Sequence, residues 1–255
     1  MDLTLHVERL GFRYGRTPVL HEVTLPEVRA TEVTAVIGPN GSGKSTLLRC
    51  VAGFHRARGQ VRLTGSDVGR RPDGGGILYL PQDPPPPSSI TVFEAVLVAR
   101  RIGGAGGRRQ DHEAHVAATL TKLGLDEFAT RRLSDLSGGQ RQMVGLAQAM
   151  TRRPDVLLLD EPTSNLDLRN QLQVLRLVRD LARDQPAAVL AVVHDLSLAA
   201  RIADRIVVLH DGVVHSSGPP AEVLTAEMLG AVYQVEGTVQ ETRDGVLTIA
   251  VTDSL

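Results

Sequence analysis

The chain has 255 residues, with 28 Lys and Arg against 29 Asp and Glu, so its formal net charge of −1 gives no case for a globally basic nucleic-acid binder. Hydrophobic residues at 42% and charged residues at 22% exclude disordered and collagen-like classes and allow a large core. A lone cysteine, Cys50, excludes an internal disulfide and points to a reducing compartment.

The N-terminus lacks the basic start and apolar core of a secretory signal, and apolar runs such as 187–193 are too short to cross a bilayer. Strand patterns follow over 3–8, 19–25 and 32–37, the last ending in a glycine-rich loop. A helix is predicted over 44–52, stopping at Gly53, with strands near 60–63 and 77–80. The stretch Asp83 to Ser89 holds four consecutive prolines, so it belongs in neither a helix nor a central strand. Helical patterns cover 92–101, 111–123 and 138–152, with a flexible glycine loop at 103–107 between the first two.

Strand and helix alternate again after Pro154. The runs 156–159 and 188–193 are wholly apolar, as strands buried on both faces of a parallel sheet require. Helices are predicted over 168–183 and 196–203, and a strand over 205–209 turns back through His210-Asp211-Gly212 onto a strand over 213–215. Asp244-Gly245 marks a second hairpin in the tail. The pattern is an α/β domain carrying an antiparallel β part and a helical insertion at about 83–153.

Gly38-Pro39-Asn40-Gly41-Ser42-Gly43-Lys44-Ser45 matches G-x-x-x-x-G-K-[ST], after a buried strand and before a helix. Its glycines let successive backbone N–H groups curl around a phosphate, and the helix start adds its positive dipole end. Lys44 reaches the β- and γ-phosphates, and the Ser45 hydroxyl is suited to Mg²⁺. Only two of the 28 basic residues are lysine, and one of them is Lys44, where a guanidinium would fit badly. As a loop lysine, Lys44 is expected to be exposed and dispensable for folding. Asp160-Glu161, after four apolar residues, places a metal-binding carboxylate and a candidate base at the ligand end of a parallel strand.

Leu136-Ser137-Gly138-Gly139-Gln140 contains the S-x-x-Q spacing of a helix cap, which accounts for Ser137 and Gln140. It does not account for two glycines in a first helical turn, each costing about 1 kcal/mol relative to alanine. Bare N–H groups there can receive a second phosphate.

With these motifs in order, the chain resembles the ATPase subunits of ABC transporters over about residues 2–230. The matches are the phosphate loop, Gln82, Ser137 to Gln140, Asp160-Glu161, the D-loop-like Ser164-Asn165-Leu166-Asp167, and His194. The resemblance implies a P-loop cassette fold with a mostly parallel core sheet, an antiparallel β subdomain and an inserted helical subdomain. Residues 1–230 would form the cassette and 231–255 a C-terminal hairpin extension.

For the site, the resemblance implies ATP held by Tyr14 and by the loop from Gly38 through Ser45 to Thr46. Ser137, Gly138, Gly139 and Gln140 would act from the other subunit of a head-to-tail homodimer. Mg²⁺ would sit with Ser45, Gln82 and Asp160, and Glu161, Gln82 and His194 would serve catalysis. The implied partners are membrane permease subunits and, indirectly, an extracytoplasmic substrate-binding protein, but no nucleic acid. The implied location is peripheral, on the cytoplasmic face of the cell membrane.

Stretches 91–96, 142–149 and 164–175 resemble the importer branch for iron-siderophore, haem and cobalamin. An exporter cassette and a soluble ABC-type ATPase acting on ribosomes or nucleic acid stand as alternatives. The chain has neither the two cassettes nor the long coiled-coil insertion usual for the second. Cys50 reads as a core residue, His55 and the other scattered histidines show no metal-ligand spacing, and the pairs 131–132 and 152–153 read as solvated helix-end charges.

Overall fold

A computed structural model describes residues 3–65, 75–102, 108–164, 166–242 and 245–254. The glycine tract 103–107, Asn165 and Asp244 lie outside the described residues. Near the N-terminus run β1 (Thr4–Tyr14), β2 (Thr17–Val23), β3 (Val28–Arg29) and β4 (Val33–Ile37), followed by α1 (Lys44–Val51). Next come β5 (Arg58–Thr64), β6 (Ile77–Leu80), α2 (Val92–Ile102), α3 (Arg109–Leu123) and α4 (Gly138–Thr151). The second half contains β7 (Val156–Asp160), α5 (Leu168–Asp184), β8 (Ala188–Val192), α6 (Leu196–Ile202), β9 (Arg205–His210) and β10 (Val213–Gly218). A hairpin of β11 (Val235–Glu241) and β12 (Leu247–Ser254) closes the chain.

Six strands form the central sheet in the order β10-β9-β4-β8-β7-β6, all parallel except β10. A second sheet sets β1 antiparallel to β2, β3 and β5. Alternation along the central strands divides the core in two, because neighbouring side chains of a strand point to opposite faces. Ala35, Leu157, Leu159, Val189 and Ile206 face the helices of the insertion and the second half. Val36, Leu158, Leu190 and Val207 face α1 and the antiparallel sheet. The helical insertion therefore shares its core with one face of the sheet, packing through α2, α3 and α4.

Most predicted elements are found within one or two residues of their expected ends. The exceptions are β1, which runs on to Tyr14, and β10, which runs on to Gly218. The segment 83–89 is in neither helix nor strand, as its prolines require. Among the described residues, no helix is long and apolar enough to cross a membrane. One surface expectation fails. Arg152 and Arg153 are half-buried, because the chain must pass directly from α4 into the buried β7.

Candidate functional site

Parallel register gathers the site. Leu80 of β6 pairs with Leu159 of β7, and Asp160 of β7 pairs with Val192 of β8. The chain leaves those strands into Gln82, Glu161 and His194, which therefore lie side by side at the carboxyl ends. β4 is the next strand beyond β8, and it delivers the phosphate loop to the same edge. Ligands of open parallel sheets bind in this crevice.

The loop is built for close approach. A Cβ on Gly38 would lie 2.0 Å from the Leu209 carbonyl oxygen, and one on Gly43, at φ +102°, would meet the Leu20 side chain at 2.9 Å. Only glycine can occupy these positions without moving the backbone. Pro39 and Asn40 form the outer rim, Gly41 has no heavy atom near its missing Cβ, and the Ser42 hydroxyl is buried without a partner. Lys44, Ser45 and Thr46 open α1, where backbone N–H groups have no intrahelical acceptor.

Lys44 is not the exposed residue expected from its place in a loop. It is 5% exposed, because its ammonium turns back under the loop and donates to the carbonyls of Gly38 and Pro39, both at 2.8 Å. Burial pulls its pKa below the ordinary lysine value, and the Glu161 and Asp160 charges oppose that fall.

The Asp160 carboxylate accepts from Ser45 Oγ at 2.9 Å and from the Tyr79 hydroxyl at 2.8 Å, one bond to each oxygen. Arg49 Nε reaches the same Tyr79 hydroxyl at 3.4 Å. Burial pushes the Tyr79 phenol up to about 12, so it stays a donor. Tyr79 had no signal of its own in the sequence; it sits mid-strand in β6 and meets Asp160 only through tertiary pairing. A hydroxyl beside a carboxylate is a hard oxygen donor set of the kind Mg²⁺ takes, so Ser45 and Asp160 fit that ion, with the Gln82 amide oxygen as a third donor type.

Both oxygens of Glu161 are engaged. Gln82 Nε2 donates to Oε2 at 2.7 Å, and His194 Nε2 lies 2.9 Å from Oε1. Glu161 itself has φ +50°, a strained conformation for a non-glycine residue and of the kind that collects at active sites. The structure thus brings together the phosphate loop, Gln82, Asp160, Glu161 and His194.

Tyr14 lies at the end of β1, half-exposed, in a ring cluster with Phe12 and His55. Its hydroxyl is 3.0 Å from His55 Nε2, and the His55 ring stacks on Phe12 at 4.8 Å. His55 carries no functional signal in the sequence, because its ring partners come from β1, with Tyr14 41 positions away. In the fold it holds the Tyr14 ring.

Ser137 and Gln140 form the expected reciprocal cap of α4. Ser137 Oγ accepts from Gln140 N at 3.2 Å, and Gln140 Oε1 accepts from Ser137 N at 2.8 Å. A Cβ on Gly138 would find open space, so no packing contact requires that glycine. Ser137 to Gln140, including Gly139, line a 670 Å³ concavity with Leu166 and Asn170. No phosphate-loop residue lines that cavity. The Ser137–Gln140 concavity and the phosphate loop are therefore separate surfaces of one chain.

Fold and site together define a P-loop ATP-binding cassette. The sequence profile described as ABC transporter matches residues 20–164. The hemin import ATP-binding protein HmuV of Rhodopseudomonas palustris is 39% identical, with 96% of each chain covered. The iron(3+)-hydroxamate import ATP-binding protein FhuC of Bacillus subtilis is 36% identical, covering 92% of this chain and 90% of that protein. The cobalamin import ATP-binding protein BtuD of Halobacterium salinarum is 38% identical, covering 91% of this chain and 59% of that protein. A chain of an ABC transporter solved in an inward-facing conformation superposes with TM-score 0.82 at 30% identity, covering 100% of this chain and 98% of that one. The chain belongs to the ABC transporter family, as an ATP-hydrolysing import subunit. Subunits of this kind bind ATP and work with membrane permease partners. Neither the exporter nor the soluble alternative is favoured by these relatives.

Proposed function

We propose that the chain powers import of an iron-siderophore, haem or cobalamin by hydrolysing ATP between two head-to-tail copies of itself. The observation that carries this reading is the line of Gln82, Glu161 and His194 beside Asp160–Ser45, with the Ser137–Gln140 cap facing a separate cavity. A complete site needs the cap of a second copy. In this reading Tyr14 stacks on adenine, and the loop from Gly38 to Thr46 holds the phosphates. Ser45, Asp160 and Gln82 hold Mg²⁺, which when bound neutralises charge on the β- and γ-phosphates. Glu161 takes the proton of the attacking water. Gln82 and His194 hold its two oxygens, and their turning toward the γ-phosphate frees it.

Residues 1–230 act as the cassette and 231–255 as a hairpin extension, with the helical subdomain at about 83–153 transmitting motion. The permease docks on the 570 Å³ groove beside Pro84 to Pro86, where α2 exposes Val98 and Ile102. That docking holds the subunit peripherally on the cytoplasmic membrane face, indirectly served by an extracytoplasmic binding protein. The cargo classes rest on the names of the importer relatives.

Mixing Lys44→Ala with Ser137→Arg subunits tests the shared site. Each variant alone should be inactive. The mixed dimer has one site with both defects and one with neither, so part of the ATPase activity should return. Recovery of none in any mixture, or full activity of Ser137→Arg alone, would overturn the reading.

A further inference from the structure

α5, α6 and the connection before β12 enclose a cleft of 290 Å³ that no phosphate-loop residue lines. Its apolar surface comes from Leu175 of α5, Ile202 of α6 and Val246 beside the hairpin. Three arginines line the same cleft: Arg176 and Arg179 on one face of α5, and Arg201 near the end of α6. None of the three takes part in an ion pair with a described carboxylate. On α5 itself, Asp180 beside Arg179 is exposed and takes part in no ion pair among the described residues, and Asp184 is taken by Lys122 at 3.0 Å. Arg179 Nε is buried with no hydrogen-bond partner.

This arrangement is costly as it stands. Arg179 Nε is a buried donor without an acceptor, while Arg176 and Arg201 are exposed and keep their charges at the mouth of the cleft. An anion removes that cost and draws on all three cations, because guanidinium groups bind carboxylate and phosphate through paired N–H donors. The apolar walls ask for an apolar body behind the anionic head. The volume is at the low end for ligand pockets, so the ligand is small.

We infer that the cleft between α5, α6 and the C-terminal hairpin binds a small organic anion, with a carboxylate or phosphate head on a short apolar body. Such a ligand ties Arg176 and Arg179 to Arg201. α5 begins directly after the Ser164–Asp167 segment, and α6 begins two residues after His194. The bound anion therefore braces two helices that lead away from the nucleotide site, and gives the C-terminal hairpin a ligand to cover.

The test is calorimetric titration of the full chain, with ADP saturating the phosphate loop. Hexanoate and hexyl phosphate supply head and body, acetate and inorganic phosphate the head alone, and hexanol the body alone. Hexanoate or hexyl phosphate should bind more tightly than any of the three partial probes, and the tighter of the two identifies the head group. Arg179→Gln should weaken that binding about tenfold or more, the value of one charge-assisted hydrogen bond. Arg201→Gln should act in the same direction, and Arg179→Lys should lose less than Arg179→Gln. Thermal midpoints without anion report that the variants fold, and their basal ATPase should match the parent. No binding of either full probe at millimolar concentration overturns the inference. So does hexanol binding as tightly as hexanoate, or affinity unchanged in both Arg179→Gln and Arg201→Gln.

Discussion

At the residue scale, the buried ammonium of Lys44 sets the demands of the phosphate loop. It donates to two loop carbonyls, and in the proposed function the same ammonium turns to the phosphates. Lys44→Ala removes charge-assisted contacts of about 1.5–3 kcal/mol each, so ATP affinity should fall by roughly 100-fold. Lys44→Arg should fail to restore it, because the planar guanidinium is bulkier than the enclosed space around a 5% exposed side chain. Titration with a fluorescent ATP analogue measures both, and near-normal affinity of Lys44→Arg would refute the steric argument. Tyr79 makes a separate prediction. Its hydroxyl orients Asp160 from the oxygen that Ser45 does not reach. Tyr79→Phe should raise the half-saturating Mg²⁺ concentration about fivefold, equivalent to one hydrogen bond near 1 kcal/mol, while metal-free ATP binding is unchanged. An equal loss of metal-free ATP affinity would assign Tyr79 to packing instead.

At the element scale, the start of α4 serves both as a helix cap and as a candidate phosphate surface, and one substitution separates the two. Aspartate caps a helix as well as serine does. Ser137→Asp should therefore keep the thermal midpoint of the parent, yet abolish ATP hydrolysis by placing negative charge where the partner's γ-phosphate would lie. Ser137→Ala should do the opposite in part, costing about 1 kcal/mol and lowering the midpoint by about 2–4 °C. An active Ser137→Asp would reduce this segment to a cap alone. The boundaries of such elements were legible in the sequence because their signals are local. The capping box spans four residues, the Asp211-Gly212 turn two, and the apolar runs of β7 and β8 are continuous.

At the scale of the whole molecule, activity under the proposed function is a property of two chains, because the phosphate loop and the α4 cavity lie apart in one. ATPase activity should rise more than linearly with protein concentration for the isolated subunit. It should become linear when a permease holds two copies together, since tethering replaces bulk concentration by an effective one. Measuring initial rates across a dilution series distinguishes these regimes, and strict linearity for the isolated subunit would place a complete site in one chain.

The sequence by itself determined the phosphate loop, the α4 cap, the strands of the central sheet and the family. Each of these rests on contiguous residues, because a phosphate is cradled by successive backbone N–H groups and a strand buried on both faces is a nearly continuous apolar run. Tertiary structure alone decided that Lys44 is buried, that Tyr79 holds Asp160, that His55 holds Tyr14, and that three arginines meet over one apolar cleft. Those contacts join residues far apart in the chain, such as Tyr79 with Asp160 across 81 positions. Their partners are set by parallel register and helix packing, and no local pattern of residue types encodes which distant side chain will stand opposite.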